Sequence, residues 1–220
     1  MPGILVLRSG NPGSRTMEAM KNSTLRRSLM ALWIVALIAL FSPEAAMAVS
    51  EPPFSVDRQD GDFEIRTYPG FTVAETRVDG DFDAASRAGF KRVAGYIFGG
   101  NQGPDGKPVR IAMTAPVTVE PAGGEAWRLH FVMPEDALRS GLPTPGDPSV
   151  SLREVPRHRM AVVRFGGFTT EGSISQHTAR LREWISQQRL ETAGEAQIAR
   201  YNDPFTLPWN RRNEIMIPLR

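Results

Sequence analysis

The 220-residue chain contains no cysteine. That excludes a disulfide framework, a thiolate zinc or iron–sulfur site and a cysteine nucleophile. Histidine is almost as scarce. His130, His158 and His177 are the full set, so a multi-histidine metal site would need nearly all of them. No Gly-x-Ser-x-Gly elbow, His-Glu-x-x-His pair or phosphate loop occurs, and no two carboxylates stand out as a general acid and base. The main apolar run, Leu29–Phe41, has 13 residues, short of the roughly 20 that a membrane-spanning helix needs. What is present is ordinary for a globular domain: 41% hydrophobic and 23% charged residues, which excludes collagen-like, coiled-coil and wholly disordered chains.

The apolar run belongs to a leader. Lys21, Arg26 and Arg27 precede it, and Ala46-Met47-Ala48 follows in the small-x-small pattern of a signal-peptidase site. Residues 1–48 therefore read as a signal peptide cut after Ala48, giving a periplasmic or secreted protein. The alternative is an uncleaved membrane anchor at residues 29–41. The stretch before Met17 and Met20 is long for a basic region, which makes either methionine an alternative start. The formal charge of the whole chain is +2, but residues 49–220 hold 21 basic and 22 acidic residues, a net of −1. A near-neutral domain has little long-range pull on a phosphate backbone, so nucleic acid is not an expected partner.

The mature part contains an internal repeat. At an offset of 87, Glu64-Ile65-Arg66 meets Ser151-Leu152-Arg153, Pro69 meets Pro156, Ala74 meets Ala161 and Gly80 meets Gly167. At an offset of 88, Arg92 meets Arg180, Tyr96 meets Trp184, and Met113–Val117 meets Tyr201–Phe205. Phe131–Pro134 then meets Ile215–Pro218. Repeat one spans about 62–134 and repeat two about 150–219. Each reads strand, strand, helix, strand, strand.

In repeat one the strands are Phe63–Thr67, Phe71–Val78, Arg110–Val119 and Ala126–Met133, with Pro69-Gly70 a turn signal. Asp81 is the expected N-cap of a helix that ends at Gly99-Gly100. Its buried arc is Phe82, Ser86, Gly89, Phe90, Val93, Tyr96 and Ile97. Glu135–Ser149 is the bridge between repeats. Repeat two has strands Val150–Val155, Met160–Phe165, Gln197–Tyr201 and Glu214–Leu219, and a helix near Ser173–Arg189 buried through Ile174, Leu181, Trp184 and Ile185. The expected fold is α+β: two ββαββ units about a pseudo-twofold axis, forming a strongly curved sheet or distorted β-barrel with two flanking helices. Both sheet edges would be covered, and a cleft would remain between helix and sheet, a usual place for a small apolar ligand.

Several motifs carry a resemblance. Tyr96-Ile97-x-Gly99-x-Asn101, Met113-Thr114-Ala115-Pro116-Val117, Tyr201-Asn202-x-Pro204 and Arg211-Arg212-Asn213-Glu214 are similar to those of the SOUL haem-binding family. Glu64-Ile65-Arg66-x-Tyr68 and Phe165-Gly166-Gly167-Phe168 fit as well. The resemblance covers nearly all of Phe54–Leu219. It implies a barrel of the gyrase-inhibitor-like shape and non-catalytic binding of haem or another tetrapyrrole in an apolar groove. Some members place a proposed iron-ligating histidine where this chain has Thr67; others hold the porphyrin by apolar contact and cations. Of the cations attributed to that second mode, Arg87 is kept, while Gly95 and Leu207 stand at the other two positions, with Lys91 a substitute one turn after Arg87.

The expected ligand site is therefore the first helix. Arg87 and Lys91 are four apart and share a face, bordered by Phe90 and Ala94. Met113 either lines the groove, where a thioether can ligate iron, or packs beneath the first helix. Arg211, Arg212 and Glu214 either meet propionates or form cross-strand charge pairs. No histidine is marked as an iron ligand: His130 alternates away from Leu129 and Phe131 and is expected on the surface, His158 lies in a turn and His177 on the second helix. Two other classes remain open on this fold, a hydrolase using Glu75, Glu154 or Glu214, and a protein-interaction module.

Overall fold

The computed structural model describes residues Val49–Arg220. The signal-peptide and anchor readings fall on residues outside this range. Among the described residues no helix is long and apolar enough to cross a membrane.

Among the described residues, eleven strands and three α-helices follow in chain order: β1 (Ser55–Asp60), β2 (Phe63–Tyr68), β3 (Phe71–Asp79), α1 (Phe82–Ile97), β4 (Asn101–Gln102), β5 (Val117–Pro121), β6 (Ala126–Val132), α2 (Glu135–Ser140), β7 (Thr144–Pro145), β8 (Val150–Val155), β9 (His158–Phe165), α3 (Glu171–Gln187), β10 (Gln197–Arg200) and β11 (Asn213–Leu219). Nine of the strands form one antiparallel sheet in the order β1-β2-β9-β11-β10-β5-β6-β3-β8, and β4 pairs with β7 apart from it. Without β1, the order reads the same from either end once each strand is replaced by its repeat counterpart. The pseudo-twofold axis runs between β10 and β5.

The pairing differs from the local reading in one respect. Pro69-Gly70 turns the chain, but β2 and β3 do not pair. β2 joins β9 of the other repeat, and β8 joins β3. Each half thus lends its first strand to its partner. Tyr68 of β2 and Phe71 of β3 still have ring centroids 6.2 Å apart, so the sheet curls until its two ends approach.

Helix α1 begins where the sequence predicts. The Asp81 side chain accepts a bond from the Ala84 N–H at 2.8 Å, satisfying one orphan donor of the first turn. One face packs on β3 and β6 through Phe82, Ala85, Gly89, Val93, Tyr96 and Ile97. The approach is close: a Cβ on Gly89 would lie 2.9 Å from Leu129 Cβ, so glycine is what lets the helix seat there. Helix α3 is capped by Thr170 and packs on β9 and β11 through Leu181, Trp184 and Ile185. Trp184 stacks on Phe63 and donates to Asp60 Oδ2 at 2.9 Å.

Four expectations are corrected. The strand predicted over Arg110–Val119 begins at Val117; Thr114 instead ties the preceding segment down by donating to the Val132 carbonyl at 2.6 Å. The repeat does not extend through Met113–Val117 and Tyr201–Phe205: the strands beside the axis are Val117–Pro121 and Gln197–Arg200, so one segment precedes its strand and the other follows it. The sheet edges are not covered as expected, because β1 and β8 end it without pairing to each other. Strand β1, which has no counterpart in the second repeat, pairs along β2.

His130 is the fourth correction. It is 7% exposed, not on the surface. Alternation does place it opposite Leu129, but the curled sheet buries that second face as well. Tyr68, Met160, Val162, Ala199 and Met216 form a separate apolar cluster there. This inner face is the side away from the helices.

Candidate functional site

The central strands β5 and β10 lie between the two helices. Arg92 of α1 donates to the Arg77 carbonyl on β3 at 3.1 Å, whereas Phe90 packs edge-on against Phe131 of β6 at 5.6 Å. Phe90 therefore marks the side of α1 nearer the middle of the sheet. Arg87 and Lys91 are exposed and Phe90 is partly so. Ala94 does not join the open face as expected: it is 7% exposed and belongs to the packing of α1 on the sheet. Met113 is half-buried against the main core, the packing alternative of its two readings.

A cleft of about 590 Å³ opens between the two helix N-termini, lined by Phe82, Trp127, Ile174 and Ile198 with Asp81 and Glu171. It matches the expected cleft between helix and sheet. At the other end of β10, the chain leaves the sheet in the loop Tyr201–Arg212. Val117 pairs with both Phe131 and Arg200, so the start of this loop stands two strand spacings, about 10 Å, from the strand under Phe90.

This loop is built and not slack. Asp203 accepts from the N–H groups of Phe205 and Thr206 at 2.7 and 3.0 Å. Arg211 donates to the carbonyls of Thr206 and Pro204 at 2.8 and 2.7 Å and lies over the Phe168 ring at 4.8 Å. The Gly167 N–H donates to the Pro208 carbonyl at 3.0 Å. The result is a platform in the sense of a held loop that turns apolar side chains to solvent: Phe205 is 94% exposed and Trp209 74%, and Leu207 of the same loop and Phe168, which lies under Arg211, are also exposed. Leu207, the position where the family resemblance implies a cation, is thus part of an apolar surface. The sequence reading missed Phe205 and Trp209. Their signal was the run Pro204-Phe-Thr-Leu-Pro-Trp209, apolar but flanked by prolines and without strand alternation.

The remaining motif residues form a buried ionic network on the inner face. Arg66 donates to both Glu214 oxygens at 2.8 and 3.0 Å, to Glu64 at 2.6 Å and to the Tyr68 hydroxyl at 3.2 Å. Glu214 also accepts from Tyr201 at 2.6 Å and from Arg212 at 3.0 Å. Arg66 is 2% and Glu214 0% exposed. Burial alone would raise the Glu214 pKa, but the bonds from Arg66 and Tyr201 outweigh it and hold the carboxyl below its ordinary range. Of the two readings of Arg212 and Glu214, the geometry supports charge pairing; Arg211 instead shapes the loop.

The other candidates fall elsewhere. Glu75 bridges Arg153 and Arg128, and Glu154 is exposed on the edge strand β8. Thr67 donates to Asp57 at 2.7 Å. His177 stacks on Phe165 at 4.0 Å with Nδ1 2.8 Å from the Ser173 carbonyl oxygen. His158 opens β9 and does not lie in the turn before it. No histidine is carried by α1 or by the Tyr201–Arg212 loop. The functional side chains there are apolar groups and cations.

Three comparisons bear on this arrangement. The family model described as SOUL heme-binding protein matches residues 49–218. Heme-binding protein 2 of Homo sapiens is 29% identical over 185 residues, covering 79% of this chain and 87% of that protein. Heme-binding protein 1 of Xenopus laevis is 26% identical over 159 residues, covering 70% and 81%. Among solved structures, the EcmrR C-terminal domain superposes with a TM-score of 0.53 at 11% identity, covering 72% of this chain and 96% of that one; this likeness speaks to fold alone.

Proposed function

The chain belongs to the SOUL heme-binding protein family, and on that premise we propose that it binds haem or a related tetrapyrrole without catalysis, for buffering, transport or sensing. The observation that carries this reading is the apolar platform of Phe168, Phe205, Leu207 and Trp209, set across the central strands from Phe90 with Arg87 and Lys91 beside it. Haem is mostly apolar area with two carboxylates, so ring burial dominates the affinity and the cations orient the propionates. Because hydrogen bonds already order the loop, little conformational entropy is lost on binding.

Titration of the haem-free protein with haemin is expected to give a Soret band saturating at about one equivalent, with quenching of Trp209 fluorescence. Leu207→Glu and Trp209→Glu, which place a charge on the platform, are expected to weaken binding at least tenfold. Arg87→Ala should cost only a few-fold, since an exposed ion pair contributes about 0.2–1 kcal/mol. Replacing any one histidine should leave the Soret position unchanged. Unaltered affinity in both platform variants would place the ligand elsewhere.

We also propose that the protein acts outside the cytoplasm after cleavage at Ala48. The basic, apolar and Ala-x-Ala order of residues 21–48 supports this. N-terminal sequencing of the protein from its native host is expected to begin at Val49. A start at Met1, Met17 or Met20 would overturn export with cleavage and leave the membrane anchor at 29–41 as the reading.

A further inference from the structure

The inner face of the sheet holds a second, much smaller cavity of about 30 Å³, close to the volume of one water molecule. It is separate from the platform, being on the face away from the helices. Its lining includes Met160, Met216, His130, His158, Thr118 and Gln197, and no carboxylate. The methionine side chains are buried.

His130 is more than nine-tenths buried and its Nδ1 finds no hydrogen-bond partner. His158 Nδ1 lies 2.8 Å from the Pro156 carbonyl oxygen. A carbonyl can only accept, so Nδ1 is the donor and Nε2 is the nitrogen that remains for a ligand. Metal-ligating imidazoles are commonly oriented in this way. Tyr68 and Phe71 hold the His158 ring in place, each at 5.4 Å between centroids.

Two thioethers and two imidazoles form a soft donor set with no carboxylate among them. Among the described residues no three His, Cys, Asp or Glu side chains gather to hold a metal, so the methionines are what completes the set. The arginines closest to His130 are neutralised by Glu75 and Glu120. Hard divalent ions need oxygen or anionic ligands, whereas thioethers select copper(I). We propose that this cavity binds one soft monovalent ion, copper(I) or its analogue silver(I), through Met160, Met216, His130 and His158.

The test uses the full haem-free chain, with silver(I) followed by NMR of the methionine ε-methyl groups and copper(I) titrated anaerobically against bicinchoninate. The expected result is one equivalent bound, with shifts at the two methyl resonances that disappear in Met160→Leu and Met216→Leu. Either substitution conserves volume and is tolerated by a core. Each should weaken copper(I) binding at least tenfold while leaving haemin affinity unchanged. His130→Gln should act likewise. Absence of competition with the chelator would overturn the proposal. So would silver(I) shifts confined to Met113, Met133 or methionines before Val49.

Discussion

Replacing Glu214 with alanine is expected to destabilise the domain by about 3–5 kcal/mol, the usual cost of removing one partner from a buried ion pair. The loss arises less from the missing attraction than from what remains. Arg66, 2% exposed, would keep its charge in the interior with Glu64 as its remaining anion, and the Tyr201 hydroxyl would lose its acceptor. Urea unfolding of wild type and variant measures the difference. A paired Arg66→Met, Glu214→Leu variant is expected to recover much of it, because an apolar pair of similar volume avoids the desolvation cost. A loss below about 1 kcal/mol in Glu214→Ala would mean that the network is solvated.

Acid carries the same information with a definite sign. The Glu214 pKa is lowered by folding, so its stabilisation is present above the unfolded value of about 4.3 and disappears as pH falls through the folded value. His130 acts in the same direction over a higher window. Its folded pKa, about 3, lies below the usual 6.5, so the unfolded state takes up its proton first and stability declines as pH falls from 6.5 toward 3. In a Glu214→Gln variant the upper part of this decline should persist and the lower part should flatten.

Trp184→Ala is expected to cost about 3–5 kcal/mol, as other large-to-small core substitutions do. Three contributions are removed together: the burial of the indole, its stacking on Phe63 at 5.2 Å and its bond to Asp60 at 2.9 Å. Tyr96 occupies the corresponding position in α1 and donates to the Pro143 carbonyl at 3.0 Å. Trp184→Phe separates these effects, since it keeps most of the apolar contact and should lose only the hydrogen bond, about 1 kcal/mol. Thermal unfolding of the two variants gives the comparison, and near-equal losses would show that packing of the indole on the sheet is not what holds α3.

Local features of the fold were legible in the sequence. Asp81 as a cap, the buried arcs of both helices apart from Phe90, which is exposed, and the positions of most strands follow from periodicity and turn chemistry, and the repeat revealed the axis. Strand pairing was not legible, because a ladder is chosen by partners far away in the chain; Pro69-Gly70 looks the same whether it closes a hairpin or passes a strand to the other half. His130 was misplaced for a related reason. Alternation tells two faces apart but not whether the second is wet, and a curled sheet buries both. At the candidate site, Arg87 and Lys91 could be read from helical spacing. The platform of Phe205 and Trp209 could not, since irregular backbone held by Asp203 and Arg211 has no period to detect.

Strand β11 lies in the middle of the sheet, with β9 on one side and β10 on the other. Remove it and two fragments remain, β1-β2-β9 and β10-β5-β6-β3-β8, with Arg66 stranded in the first. The two fragments are joined in the sheet through the segment from Asn213 to Leu219, whose Glu214 accepts from Arg66, 148 residues earlier. Such distant closures make for slow folding, so the joining of the two fragments is expected to come late, after each has formed its own local ladder.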